Sequence, residues 1–241
     1  MTDDLLRRIA DALDRLAPAD AAHDDLRAAS AYVWDGRGVR AVARFVPADY
    51  DLLYGIDAQK NSLLENSLRH AAGHPAHDVL LWGARGTGKS ACVGAVVGKI
   101  KANGSDLALV QCGSDALVSL PALFELLGKE KRRFILFIDD LGFEDAGGDA
   151  RMLRSLLDGG ASARPANVRL YVTSNRRHIV PRFLSEQDDP INQRDVVDDK
   201  MALSDRFGLS LGFHAVDQDA YLAIVTGYAR HFALTFEPSD A

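Results

Sequence analysis

One eight-residue turn constrains this chain more than any other feature. It reads Gly83-Ala84-Arg85-Gly86-Thr87-Gly88-Lys89-Ser90 and matches the pattern G-x-x-x-x-G-K-[ST] in full. A short apolar run, 79–82, precedes the turn, and a small-residue helical segment follows it from Lys89. Glycines let a backbone turn tightly and aim N–H groups at an anion, and the following helix adds the positive end of its dipole. The pattern therefore predicts a phosphate-binding loop on an α/β sheet.

The chemistry of this loop assigns a role to each residue type. Its backbone, with that of Ala91 just beyond it, is predicted to hold the phosphates of a nucleotide. Lys89 is expected to reach the β- and γ-phosphates, and the Ser90 hydroxyl is expected to ligate Mg²⁺. The alternative, a chance match in a glycine-rich turn, is disfavoured by the order of strand, turn and helix.

A second candidate feature is the apolar run Phe134–Ile138, which ends in Asp139 and Asp140. Two carboxylates at a strand end make sense beside a phosphate loop if Asp139 orients the Mg²⁺ shell and Asp140 faces the attacking water. The alternative is a pair of solvated aspartates, which the nearby phosphate loop makes less favoured.

Alternation of short apolar runs with helical segments predicts the fold. Besides the two runs already named, apolar runs occur at 107–110, 168–172 and 209–213. This order predicts a three-layer α/β fold with a five-stranded parallel sheet covered on both faces. We predict an accessory region at 1–50, a nucleotide-binding core at 51–215 and the start of a helical lid at 216–241, with a lid helix over 218–232.

The first fifty residues are harder to interpret than the core. Leucine and isoleucine at helical spacing predict a helix over 5–16, and a second helix is predicted over 24–34. The alternation in 39–46 predicts a strand after the turn at 35–38. The region is either a packing prefix to the core or a docking element for a partner.

Composition narrows the setting. The chain has 241 residues, is 47% hydrophobic and has a formal net charge of −6, so a broad nucleic-acid-binding surface is not the default expectation. Two cysteines, Cys92 and Cys112, predict no disulfide framework and favour a reducing compartment. The acidic start lacks a secretory layout and no apolar run reaches about 20 residues, so we expect a cytoplasmic protein with no membrane partner.

Beyond these motifs the chain resembles the AAA+ ATPases. The segment Tyr54–Lys60, with Gly55 and Ile56, resembles the stretch that lines the adenine pocket in that family. Asn175 stands at the sensor-1 position, and Arg206, in the string LSDRFG, matches the arginine finger. The strings LLWGARGTGKS, TSNRRH and LSDRFG resemble in particular the bacterial domain-of-unknown-function 815 family, over about residues 34–235.

The resemblance implies an ATPase with ATP and Mg²⁺ as cofactors, in which Lys89, Asp140, Asn175 and Arg206 are the catalytic residues. It also implies a head-to-tail homo-oligomer, a ring or arc such as a hexamer, in which Arg206 acts in trans and turnover drives remodelling or loading of an unknown protein client. Two alternatives stay open. One is a nucleotide-dependent switch with little hydrolysis. The other is a DNA-dependent, helicase-loader-like ATPase, which the basic run 176–178 favours and the acidic balance disfavours.

The sequence departs from the family pattern at two places. Many members carry Asp-Glu where this chain has Asp139-Asp140, which leaves Glu144 as a weaker candidate for the same role. The lid shows one helix and no sensor-2 arginine, and Arg230 lies too early in it to take that role. His70, His74 and His77 are interpreted as a solvated helix end rather than a zinc site.

Overall fold

The chain folds around one mainly parallel β-sheet. The computed structural model describes residues 7–8, 23–141, 152–153, 156–157, 164–175, 206–215 and 217–234. The strands, in chain order, are β1 Ala31–Trp34, β2 Val39–Ala41, β3 Val79–Gly83, β4 Leu107–Cys112, β5 Arg133–Ile138, β6 Val168–Ser174 and β7 Leu209–Phe213. The longer helices are α1 Asp57–Ala71, α2 Lys89–Ala102, α3 Leu120–Gly128 and α4 Gln218–His231.

The seven strands lie in the order β2-β1-β4-β5-β6-β3-β7. Neighbouring strands are parallel except for β1 and β2, which form an antiparallel pair. The central strands β3, β5 and β6 are runs of almost entirely buried residues, as parallel strands covered on both faces require.

Successive residues of each central strand point to opposite faces of the sheet. In β5, Phe134, Leu136 and Ile138 pack in the same core as α3, whereas Ile135 and Phe137 pack in the core that contains the apolar sides of α1 and α2. Two separate cores, one on each face, make the three-layer α/β architecture that the sequence predicts.

The predicted number of strands, five, is wrong because the first fifty residues add two more to the same sheet. Residues 31–34, predicted as the end of a helix over 24–34, form β1 and pair in parallel with β4. The physical reason is tertiary: residues 31–34 pair with β4 on one side and β2 on the other, and just before them the guanidinium Nη1 of Arg132 donates to the carbonyls of Leu26 and Ala29 at 2.6 and 2.7 Å. These bonds use carbonyls that a helix would pair internally.

The strand predicted over 39–46 ends at Ala41. β2 lies at one edge of the sheet, and residues 23–24 cover its outer side: Asp24 N donates to Val39 O at 2.9 Å, and Ala41 N donates to the Asp24 carboxylate at 2.7 Å. Such cover keeps a sheet edge from pairing with another chain. The boundaries proposed at 50 and 215 stay predictions.

Several predicted features lie outside the described residues: the helix over 5–16 except for residues 7–8, which are helical, Glu144 and the basic run 176–178. The lid helix predicted over 218–232 is α4, which begins after Asp217, whose carboxylate caps the helix by accepting from Ala220 N at 2.8 Å. Within the described part of the chain, no helix is long and apolar enough to span a bilayer.

Candidate nucleotide-binding site

The loop, the two aspartates and Asn175 meet because the strands that precede them have their carboxyl-terminal ends on the same side of the sheet. β3 lies between β6 and β7, and β6 in turn lies between β3 and β5. The glycine-rich loop follows β3, Asp139 and Asp140 follow β5, and Asn175 follows β6. Ligands of open α/β sheets bind at such carboxyl ends, where neighbouring strands diverge in chain order.

The loop has the backbone that its glycines permit. Gly83, Gly86 and Gly88 have φ angles of +139°, +77° and +90°, which L side chains rarely adopt. Gly83 also pairs with Phe213 of β7, and a Cβ on Gly83 would lie 1.9 Å from the Phe213 carbonyl oxygen. Glycine at position 83 is therefore required by close packing as well as by φ.

Lys89 is the first residue of α2, and it is only 5% exposed. Its Nζ donates to the carbonyl oxygens of Gly83 and Ala84 at 2.9 and 2.7 Å, which occupies two of its three N–H donors. Burial lowers the pKa of Lys89, and the nearby carboxylates of Asp139 and Asp140 oppose that shift. The ammonium group is thus held inside the loop, close to both acidic side chains.

Ser90 and Asp139 form the pair expected for a Mg²⁺ site. Ser90 Oγ donates to Asp139 Oδ1 at 2.7 Å, although the two residues are 49 positions apart in the chain. The hydroxyl of Thr173, at the end of β6, donates to the same carboxylate oxygen at 2.5 Å. Hence the Asp139 carboxylate has its orientation set from two directions.

Asp140 occupies an unusual backbone conformation with φ of +55°. Both of its carboxylate oxygens have partners: Oδ2 accepts from Arg85 Nη2 at 3.0 Å, and Oδ1 accepts from the Asn175 amide. The Arg85 side chain is 80% exposed and forms this ion pair with Asp140. Arg85 and Asn175, which come from two other chain segments, therefore both contact Asp140.

A cavity of about 350 Å³ opens beside the loop. It is lined by the predicted residues Gly55 and Ile56 and by the loop residues from Gly86 to Gly88 together with Ala91. This volume lies within the range that is typical of small-molecule binding sites. The structure thus brings the segment before β3 against the glycine-rich loop, as the resemblance implied for an adenine pocket.

Sequence reasoning missed the far wall of this cavity. Ala220, Ile224 and Tyr228 of α4 line it, together with His214 after β7. Their spacing of four residues along α4 is the available sequence signal, since it places all three on one helix face. The helix lies close because Gly227 has no side chain: a Cβ there would meet the Tyr54 ring at 2.1 Å.

Arg206 is exposed and lies near the amino-terminal ends of β3 and β7, whereas the glycine-rich loop of the same chain lies at their carboxyl-terminal ends. It precedes β7, whose first residue, Leu209, pairs with Val79 at the start of β3. From this pair to Gly83, at the other end of β3, the distance is about 13 Å at 3.3 Å per residue. The structure therefore does not bring Arg206 to the other candidate residues of the same chain.

The interpretation of the three histidines as a solvated helix end is wrong for His70. His70 is fully buried, and its Nε2 lies 3.0 Å from the carbonyl oxygen of Phe134. Desolvation lowers the pKa of His70 to about 4. His74 and His77 are exposed, and within the described residues no group of three His, Cys, Asp or Glu side chains could hold a metal ion.

The residues present fit a Mg²⁺–nucleotide complex. Mg²⁺ in such sites takes one or two protein oxygens and completes its shell with phosphate oxygens and water, which matches the adjacent oxygens of Ser90 and Asp139. The left-handed glycines at 86 and 88 and the start of α2 supply the concave backbone that phosphates need. The roles assigned to these residues stay predictions.

Comparison with known proteins gives a family and a fold. The sequence matches the family described as "Protein of unknown function (DUF815)" over residues 27–241. None of the curated proteins matches the chain.

Solved structures give the same fold at low sequence identity. Domain III of the Thermotoga maritima replication initiation protein DnaA is similar with a TM-score of 0.52 and 16% identity, covering 82% of this chain and 80% of that one. The Aeropyrum pernix Orc1 protein, in complex with DNA, is similar with a TM-score of 0.52 and 13% identity, covering 79% and 55%.

A single-substitution variant of Thermotoga maritima RuvB is similar with a TM-score of 0.50 and 17% identity, covering 78% of this chain and 54% of that one. This chain therefore spans about half the length of the RuvB and Orc1 chains that it matches. These neighbours are AAA+ proteins. The chain belongs to the DUF815 family, and its fold is that of the AAA+ P-loop ATPases.

Proposed function

We propose that the protein binds ATP with Mg²⁺ and hydrolyses it to ADP and phosphate. The observation that carries the proposal is the contact of Ser90 with Asp139 beside the buried ammonium of Lys89, with Asp140 and Asn175 hydrogen-bonded next to them. A phosphate loop alone would support binding. A second carboxylate beside it supports hydrolysis, because transfer to water needs a group that orients the nucleophile.

Each residue has a separate task. The loop amides and Lys89 hold and neutralise the phosphate chain, and Ser90 and Asp139 would hold a Mg²⁺ ion, which would supply further charge neutralisation when bound. Asp140 and Asn175 orient the water. The cavity between Ile56 and α4 accepts the base and ribose.

Arg206 supports a further part of the proposal, that the working unit is a head-to-tail assembly. An arginine that stabilises the transferring phosphoryl group is worth about 10³ to 10⁵ in rate in related NTPases. Since Arg206 lies at the far edge of the sheet from its own loop, it acts on the nucleotide of a neighbouring subunit. A heterologous contact of this kind generates a ring or an arc.

Turnover in this assembly drives remodelling or loading of a macromolecular client. The fold similarity to proteins such as the DNA-bound Orc1 makes DNA one client to test, whereas the net charge of −6 favours a protein.

The test compares the wild-type protein with Lys89→Ala and Asp140→Asn. Nucleotide binding is measured by calorimetry, and phosphate release is measured over a range of protein concentrations, with and without DNA. We expect Lys89→Ala to lose binding, and Asp140→Asn to bind ATP normally but to hydrolyse it at least about 100-fold more slowly.

Specific activity of the wild type should rise with concentration as subunits assemble. If wild type binds ATP normally but hydrolyses it only at the uncatalysed rate, the proposal of an ATPase would be replaced by that of a nucleotide-dependent switch. Absence of any heat with ATP or ADP would refute the whole proposal.

A further inference from the structure

Thr173 is a buried polar residue at the point where the two acidic residues leave the sheet. It is 1% exposed and stands near the end of β6, in a strand whose preceding residues Leu170, Tyr171 and Val172 are buried in the two cores. β6 is the neighbour of both β3 and β5. Thr173 is therefore placed between the glycine-rich loop and the two acidic residues.

The hydroxyl of Thr173 serves both acidic residues at once. It donates to the Asp139 carboxylate at 2.5 Å and accepts from the backbone N–H of Asp140 at 2.8 Å. The Thr173 carbonyl oxygen also accepts from Leu141 N at 2.9 Å. Three hydrogen bonds from one residue thus hold three successive positions of the turn after β5.

This turn needs such support because of its backbone. A non-glycine residue at φ of +55° costs on the order of 1–3 kcal/mol unless its surroundings hold it there. The bond from Asp140 N to Thr173 Oγ1 holds that conformation, which is the one that brings the Asp140 side chain to Arg85 and Asn175. The same hydroxyl leaves the Asp139 oxygen aimed at Ser90.

We propose that Thr173 is a positioning residue for hydrolysis, which orients the metal-binding carboxylate of Asp139 and the water-facing carboxylate of Asp140 through one hydroxyl. The inference rests on the proposed ATPase function and adds to it a residue that acts through Asp139 and Asp140. Groups that orient metal ligands in this way usually contribute about 10- to 100-fold in metal affinity or activity.

The experiment compares four proteins of full length: wild type, Thr173→Val, Thr173→Ser and Tyr171→Phe. Valine keeps the shape of threonine and removes the hydroxyl, whereas serine keeps the hydroxyl. Tyr171→Phe is the matched control, because it removes another buried hydroxyl from the same strand. The Tyr171 hydroxyl bonds to Ser67 and Asn66 in the core next to α1, away from the site.

Three quantities are measured. The first is the affinity for a non-hydrolysable fluorescent ATP analogue without Mg²⁺. The second is the Mg²⁺ midpoint, the Mg²⁺ concentration at which half of the Mg²⁺-dependent change in that affinity has occurred, and the third is kcat with KM for ATP. For Thr173→Val we expect affinity without Mg²⁺ within about twofold of wild type, a Mg²⁺ midpoint raised about 10-fold or more, and kcat lowered about 10- to 100-fold at similar KM. Thr173→Ser should stay within about threefold of wild type in all three quantities. Tyr171→Phe should melt at a lower temperature with an unchanged Mg²⁺ midpoint.

Two results would overturn the inference while leaving the ATPase proposal intact: Thr173→Val with the wild-type Mg²⁺ midpoint and kcat, or Tyr171→Phe with the same losses as Thr173→Val. If the valine variant does not fold, Thr173→Ala is judged by the same criteria. A wild-type protein that neither binds nor hydrolyses ATP would instead remove the proposed function, and this inference with it.

Discussion

Replacing Gly83 by alanine should destabilise the protein far more than the same change at Gly86. Both glycines lie in the phosphate loop and both have positive φ, +139° and +77°. They differ in their surroundings: a Cβ on Gly83 would lie 1.9 Å from the carbonyl oxygen of Phe213, whereas a Cβ on Gly86 would meet nothing within 4 Å. The pair therefore separates backbone strain from packing.

The magnitude follows from these contacts. At Gly86 only the strain of a left-handed alanine remains, about 1 kcal/mol. At Gly83 the atoms must move apart from 1.9 Å to at least the 3.4 Å of ordinary contact, a shift of 1.5 Å (3.4 − 1.9) between β3 and β7. Strain of about 2 kcal/mol and loss of two ladder hydrogen bonds, at about 1 kcal/mol each, total about 4 kcal/mol.

The assay is urea and thermal unfolding followed by circular dichroism. For a chain of this size about 4 kcal/mol corresponds to a melting temperature lower by about 12 °C, and about 1 kcal/mol to about 3 °C. Equal losses for the two variants, or a Gly83→Ala protein as stable as wild type, would refute the close approach of Phe213 to the loop.

Two further predictions concern a buried base and the assembly. Burial lowers the pKa of His70 from 6.5 to about 4, so between these pH values the unfolded chain binds a proton that the folded chain does not. The free energy of unfolding should therefore fall as the pH falls. In urea titrations between about pH 7.5 and pH 5, wild type should lose about 2 kcal/mol more of it than His70→Asn. Equal losses in both proteins would contradict the burial of His70. In a 1:1 mixture of Lys89→Ala and Arg206→Ala, each inactive alone, random assembly should restore activity at about a quarter of the interfaces in phosphate-release assays; a mixture as inactive as its components would rule out action of Arg206 in trans.

Much of the fold could be predicted because its central strands are short apolar runs whose pattern is local. The runs at 79–82, 134–138 and 209–213 appear as strands with nearly the predicted bounds. β1 could not be predicted, because what makes it a strand is its pairing with β4, whose residues lie far away in the chain. The same holds for His70, which is buried by packing against β5 and not by the polarity of its neighbours in sequence.

The candidate site divides in the same way. The loop from Gly83 to Ser90 is determined by the sequence alone, because its glycines and its lysine follow one another along the backbone and their spacing is itself the requirement. Only the tertiary structure decided that Thr173 bridges Asp139 and Asp140, that Arg85 pairs with Asp140, and that α4 forms a wall of the cavity. These contacts depend on which strands become neighbours in the sheet, and that order is set by the packing of two cores and not by any local pattern.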